Sequence, residues 1–299
     1  MSRMIPVLLA LCSLIASAET RRIRFEDIPA SARVWLGGRS ASPKAFDAWV
    51  QQIVTSSEER LRDGEWDERI TQILEPAAFR LPATEGEIPS AVRARIAAEP
   101  SDQRVALERA YHRVRRFVHE REVASQAYEG DRRRRHVAAL YQQRGFSTDT
   151  GVASSFGVFV GLGVIRSKVA RALVVGPGRD PGPPAQSTQP YLLADTLLRL
   201  NLASPEDLQV HCVDVNPSVV ELLGRSPVVL RLNWETAEEE HRQFFGSAGA
   251  KIGSVLGEAP RKQVEVSAAV ARRVSAARCN IITERLTGVR SFDLAVATN

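Results

Sequence analysis

Cysteine is nearly absent from this chain. Its 299 residues hold three, Cys12, Cys212 and Cys279, too few for a disulfide framework and without the paired spacing of a metal module. The two later ones lie inside apolar runs, which predicts buried free thiols. Lysine is almost as scarce, at positions 44, 168, 251 and 262 only. The positive charge is therefore arginine, which fits phosphate or carboxylate recognition and equally a bias in genomic base composition. Long apolar runs are also missing. Ile5 to Ala16 is too short to span a bilayer comfortably, and Gly151 to Ile165 is short and broken by glycines at 151, 157, 161 and 163.

What is present is the composition of a folded protein, 44% hydrophobic and 25% charged, long enough for one large domain or two of ordinary size. The net charge of +5 is concentrated between Ser101 and Gly145, where eleven arginines face six acids. Such a segment is a solvated helix face or a surface for an acidic protein partner. No aromatic stacking pattern accompanies it, which disfavours nucleic acid.

The amino terminus has the three-part pattern of an export leader. Arg3 precedes the apolar run, and Ala16-Ser17-Ala18 offers small residues before a cleavage point at Glu19. The expected organisation is a leader over residues 1–18, a helical domain over 19–146 and an α/β domain over 147–299, with no membrane span once the leader is removed.

In the helical part, Thr20 to Ala41 reads as irregular. Ser42-Pro43 predicts an N-cap followed by proline at the first helical position, with Phe46, Trp49, Val50 and Ile53 carrying a helix to about Leu61. Trp66, Ile70, Ile73 and Leu74 suggest a second helix, and Ala91 to Ala98 a third. The longest helical pattern begins at Ser101-Asp102, with Leu107, Tyr111, Val114 and Val118 on one stripe and His112 and His119 two turns apart beside it. Asp131 predicts a cap for a further helix through Tyr141. A polar hinge follows at Gly145 to Thr150.

From Ala170 onward strands alternate with helices, the mark of a parallel sheet. Ala172 to Val175 is an uninterrupted apolar run, as in a strand buried on both faces, and it ends in Gly176-Pro177-Gly178. Leu208 to Val213 is a second strand ending in Asp214, and Pro217 to Leu223 opens a helix. Val228 to Leu232 is a possible strand, Thr236 to Phe245 a helix, and Ala276 to Ile282 and Phe292 to Ala297 two further strands.

Three separated features agree chemically. The glycine turn lets the backbone approach a ligand closely. Asp214, at a strand end in Val213-Asp214-Val215-Asn216-Pro217, can accept both hydroxyls of a ribose. The strand Phe292-Asp293-Leu294-Ala295-Val296-Ala297-Thr298-Asn299 delivers a polar residue to the carboxyl edge of the sheet, where open α/β sheets bind ligands.

In these features the stretch Ala170 to Asn299 resembles the class I S-adenosylmethionine-dependent methyltransferases. The resemblance implies a Rossmann-like parallel sheet, here incomplete at about four to five strands, preceded by an all-helical region. It also implies S-adenosylmethionine as cofactor. Gly176, Pro177 and Gly178 would lie at its methionine part, Asp214 at the ribose, Val215 on the adenine, Asn280 near the adenine amine, and Asn299 beside the methyl-transfer site. No catalytic residue and no metal is implied, and the acceptor would be a small molecule or a protein carboxylate. A narrower likeness is to the chemotaxis-receptor glutamate methyltransferases. It rests on Gln189-Pro190-Tyr191-Leu192-Leu193-Ala194 after the glycine turn, on the basic helical half, and on the insertion before the strand bearing Asn280.

The chain departs from the family pattern at Val174, where an acid is usual, and at Asp180, where a third glycine is common. Pro181 to Pro184 also lengthen the loop. The sequence stops at the motif of the fourth strand, which predicts weak cofactor binding and little turnover. Asp293 and His211 read as structural. A dehydrogenase fingerprint would need a third glycine where Pro181 stands. The remaining alternative takes the leader at face value, as an exported binding or scaffold protein. Export and cofactor chemistry thus point to different compartments.

Overall fold

The computed structural model describes residues 19–40, 42–81, 84, 86–146, 150–152, 154–180, 185–234, 238–258, 260–287 and 291–297. The leader-like segment and Asn299 lie outside them. The chain divides into two compact units, Trp35–Ser147 and Met1–Val34 with Thr148–Asn299.

Glu19–Arg22 is a strand, β1, and Ala30–Leu36 a helix, α1. This corrects the irregular reading of that segment, whose charged residues hid an edge strand. The helical unit then begins with α2, Pro43–Ile73. Ser42 accepts from the Ala45 N–H at 3.1 Å and Pro43 takes a first-turn position, the expected start. α2 runs through the anticipated break as one helix and is longer than α4. Its interior Gly64 is explained by packing: a Cβ there would collide with the Phe146 backbone.

Ser90–Ala97 forms α3, Arg104–Ala127 α4 and Gly130–Gln143 α5. Ser101–Gln103 is a turn before α4, and the cap of α5 is Glu129 rather than the expected Asp131, which sits two residues on, in the first turn. Ile70, Leu74, Phe79, Ile88, Val92, Ile96, Leu107, Ala110 and Tyr111 make one buried core. Each large member contributes about 1.5–3 kcal/mol by leaving water. Arg113 ties α4 to α2 through the buried Asp67 at 2.7 Å and the more exposed Asp63 at 3.3 Å.

In the other unit, α6 is Ser154–Ile165, β2 Arg171–Val175, α7 Gln189–Arg199, β3 Gln209–Asp214 and α8 Pro217–Leu223. β4 is Val229–Asn233, α9 Glu239–Ser247, β5 Gly253–Glu258, β6 Arg261–Val266 and α10 Ala268–Ala271. β7 is Val274–Arg278, β8 Glu284–Thr287 and β9 Leu294–Ala297. The single strand expected over 276–282 is therefore β7 followed by a turn into β8.

β2, β3, β7 and β9 form a parallel sheet in the order β7-β3-β2-β9. The first strand of this sheet, β2, thus lies between its second, β3, and its fourth, β9, and the winding reverses beside it. β4, β6 and β5 form an antiparallel sheet, and β1 pairs with β8. Helix α7 is buried along Gln189 to Leu198, so it is interior on every face. Its neighbours include α6 and β3. Ala172, Val174, Leu192, Leu197, Val210, Leu230, Ile252 and Val264 belong to one core that joins both sheets.

Candidate functional site

Four strands running the same way place their carboxyl ends on one edge. Val175 at the end of β2 pairs with Val213 and with Ala297, and Asp214 pairs with Arg278. The chain then leaves β2 through Gly176 and Gly178, both at φ 62°, a conformation costly for any residue with a Cβ. The Gly176 N–H donates to the Val213 carbonyl at 2.8 Å, extending the ladder one step before the turn. Pro177, between them, is buried.

Asp214 is 6% exposed. Its Oδ1 accepts from the Asn216 N–H at 2.8 Å and its Oδ2 from the Gly178 N–H at 3.4 Å. Burial pushes this carboxyl above its ordinary range, while the N–H groups of Asn216, Gly178 and Val215 pull it back. A carboxylate has about four lone-pair positions, so these bonds leave acceptor capacity for hydroxyl groups.

Val215 follows, half-buried, its carbonyl accepting from Arg278 Nε at 3.3 Å. Asn216, not singled out from the sequence, is the N-cap of α8. Its Oδ1 accepts from both the N–H and the hydroxyl of Ser218 at 2.9 Å. The dipeptide Asn216-Pro217 was its signal.

Asn280 lies two residues beyond the end of β7, at the same edge. Its Oδ1 accepts from the Ile282 N–H at 3.1 Å, and its N–H donates to Glu284 Oε2 at 2.8 Å. The residue thus shapes the turn into β8. The Cys279 N–H donates to the Asp214 carbonyl at 3.0 Å, holding the two strand ends together. Gly176, Pro177, Gly178, Asp214, Val215 and Asn280 therefore share one edge. Asn299 falls outside the described residues.

Asp180, noted in the sequence only as a departure, is the second buried carboxyl here, at 7% exposure. It accepts from Thr188 Oγ1 and Gln186 Nε2, each at 2.9 Å, and its N–H donates to the Gln186 carbonyl at 2.8 Å. Burial raises it to about 6 against those hydrogen bonds. Polar residues just before the apolar start of α7 were the available signal.

Other titratable groups have structural posts. Asp293 accepts from the N–H groups of Ala170 and Arg171, both at 2.8 Å, at the amino end of the sheet. Those bonds hold its carboxyl below the ordinary range. His211 Nδ1 meets Ser275 Oγ at 2.9 Å, and burial and the Arg171 charge lower its pKa. Cys212 and Cys279 are free and buried; burial pushes both thiols up, Cys279 to about 11. Among the described residues no three His, Cys, Asp or Glu side chains are grouped to hold a metal ion, and no helix is long and apolar enough to cross a membrane.

No protein-family model and no curated protein matches this sequence.

Proposed function

We propose that the α/β unit is Rossmann-like and binds S-adenosylmethionine as a class I methyltransferase domain. The observation that carries this reading is the Gly178–Asp214 contact. It joins a left-handed glycine turn after the first strand to a buried carboxylate at the end of the second. Both lie in a sheet whose order reverses beside that turn, and such a reversal is where open α/β sheets hold dinucleotide-like ligands.

On this reading Gly176, Pro177 and Gly178 border the methionine part, Asp214 accepts the ribose hydroxyls and Val215 packs on the adenine. Asn280 and Asn299 would serve the adenine amine and the transfer site. The bound cofactor supplies an already activated methyl group on its sulfonium. The chain's contribution is to hold acceptor and methyl in line and exclude water. The acceptor class is a small molecule or a protein carboxylate, and a carboxylate acceptor demands no strong base.

Calorimetry on the full chain tests this. S-adenosylmethionine and S-adenosylhomocysteine should bind saturably, Asp214→Ala should weaken both at least tenfold, and NAD should not compete. Equal binding by wild type and Asp214→Ala, or a preference for NAD, would sink the reading.

A further inference from the structure

The Trp35–Ser147 unit has a cleft of its own, ≈ 920 Å³ in volume, within the size range of small-ligand clefts, about 300–1,000 Å³. One wall is the segment Phe79-Arg80-Leu81, and the other is a face of α4. His112, Arg115, Arg116 and His119 recur there at helical spacing, so they stack along one face beside the apolar stripe.

Among the described residues of the cleft the charges do not cancel. Arg80 pairs with Glu122 at 3.4 Å, which accounts for those two. Among the described residues of the lining, Glu120 is the one remaining acid, against Arg115 and Arg116. Arg116 and His119 are exposed and have no hydrogen-bond or ion-pair partner among the described residues. The His112 ring meets the edge of Tyr111 at 5.6 Å between centroids, which orients it. Phe79 is buried at the base of this wall, and Leu81 is 49% exposed beside it.

We propose that this cleft binds a small organic phosphate. Arg116 and His119 would take the phosphoryl oxygens, because a guanidinium fork matches that geometry. Leu81, with Phe79 beneath it, supplies an apolar seat for the organic portion. A cation would meet the arginines, and a purely apolar ligand would strip water from them without return.

The probes are pyrophosphate, which reads the charges alone, and ADP, which adds an organic portion. Calorimetry uses the full-length Asp214→Ala chain, so that the α/β site does not contribute and its failure is separable from this one. Both probes should bind saturably, ADP several-fold tighter, and both more weakly as salt rises. Adding Arg116→Ala with His119→Ala should weaken both at least tenfold while helical circular dichroism is unchanged. Leu81→Asn should remove the advantage of ADP and leave pyrophosphate as it was. Absence of saturable pyrophosphate binding at low ionic strength, or binding undiminished by the double substitution, overturns the proposal. Circular dichroism guards against misfolding, and Arg116→Lys alone offers a gentler variant that should weaken pyrophosphate less than the pair.

Discussion

The side chain of Gln186 pairs with the backbone of Arg231 as a neighbouring strand would. Its Nε2 donates to the Arg231 carbonyl and its Oε1 accepts from the Arg231 N–H, both at 2.8 Å. The second Nε2 proton goes to Asp180 at 2.9 Å. The carboxamide therefore has one possible orientation. Through it the loop after the glycine turn is fixed to β4 of the antiparallel sheet.

That arrangement makes Asp180 a source of pH dependence. Its folded pKa, about 6, lies above the ordinary carboxylate value of 3.8. Between those values the folded state binds the proton more tightly than the unfolded chain, so this group's contribution to stability is present at low pH and is lost as pH rises through about 6. Asp180→Asn mimics the protonated form: its oxygen can accept from Gln186 and its nitrogen donate to Thr188. In urea unfolding, the stability of Asp180→Asn relative to wild type should grow from pH 4 to pH 7, by about 1.4 kcal/mol for each unit of the shift. A difference that does not change over that range would show that the carboxyl titrates as if exposed.

The glycine turn makes a second demand. Gly178→Ala places a Cβ on a residue at φ 62°, and the expected loss is about 1–2 kcal/mol of unfolding free energy. Gly157→Ala, in α6 with open space around its Cα, should instead gain about 0.5–1 kcal/mol. Equal shifts for the two variants would mean that the turn relaxes to accommodate a side chain.

Lys262 offers a third test. It is 4% exposed, and its Nζ donates to the carbonyls of Phe245, Gly246 and Ala248 at the end of α9. Burial lowers its pKa, and the Asp195 charge opposes that. Lys262→Met keeps the stem and leaves those carbonyls without their charged donor, so stability should fall by about 2–4 kcal/mol. Chemical denaturation that finds Lys262→Met as stable as wild type would mean that water or another donor replaces the ammonium.

Much of the secondary structure could be read from local chemistry. Ser42-Pro43 opened α2, Asn216-Pro217 opened α8, and the apolar runs before Gly176 and Asp214 gave β2 and β3. The hairpin of β5 and β6 was missed because β5 is exposed along most of its length and so shows no alternation. β1 was missed for a related reason: Glu19-Thr20-Arg21-Arg22 is polar throughout, and its partner is Glu284–Thr287 at the far end of the chain. No local window contains that pairing. In the candidate site, Gly176, Gly178 and Asp214 stood out because their chemistry depends on residue type and position beside a strand. Asp180 did not, since its burial depends on Gln186 and Thr188 folding back over it.

By itself the sequence determined the strands β2, β3 and β9 and the helix α8 of the parallel sheet, where glycine must supply a left-handed turn, and which carboxylate ends β3. Those properties follow from short-range sterics and from the periodicity of apolar residues. The tertiary structure alone decided the strand order β7-β3-β2-β9, the pairing of β1 with β8, the second sheet and the tie between Gln186 and Arg231. Apart from the β5–β6 hairpin within the second sheet, each joins segments distant in the chain, beyond the reach of any local pattern. The burial that lifts the Asp180 carboxyl arises in the same way, from chain segments that meet only in the fold.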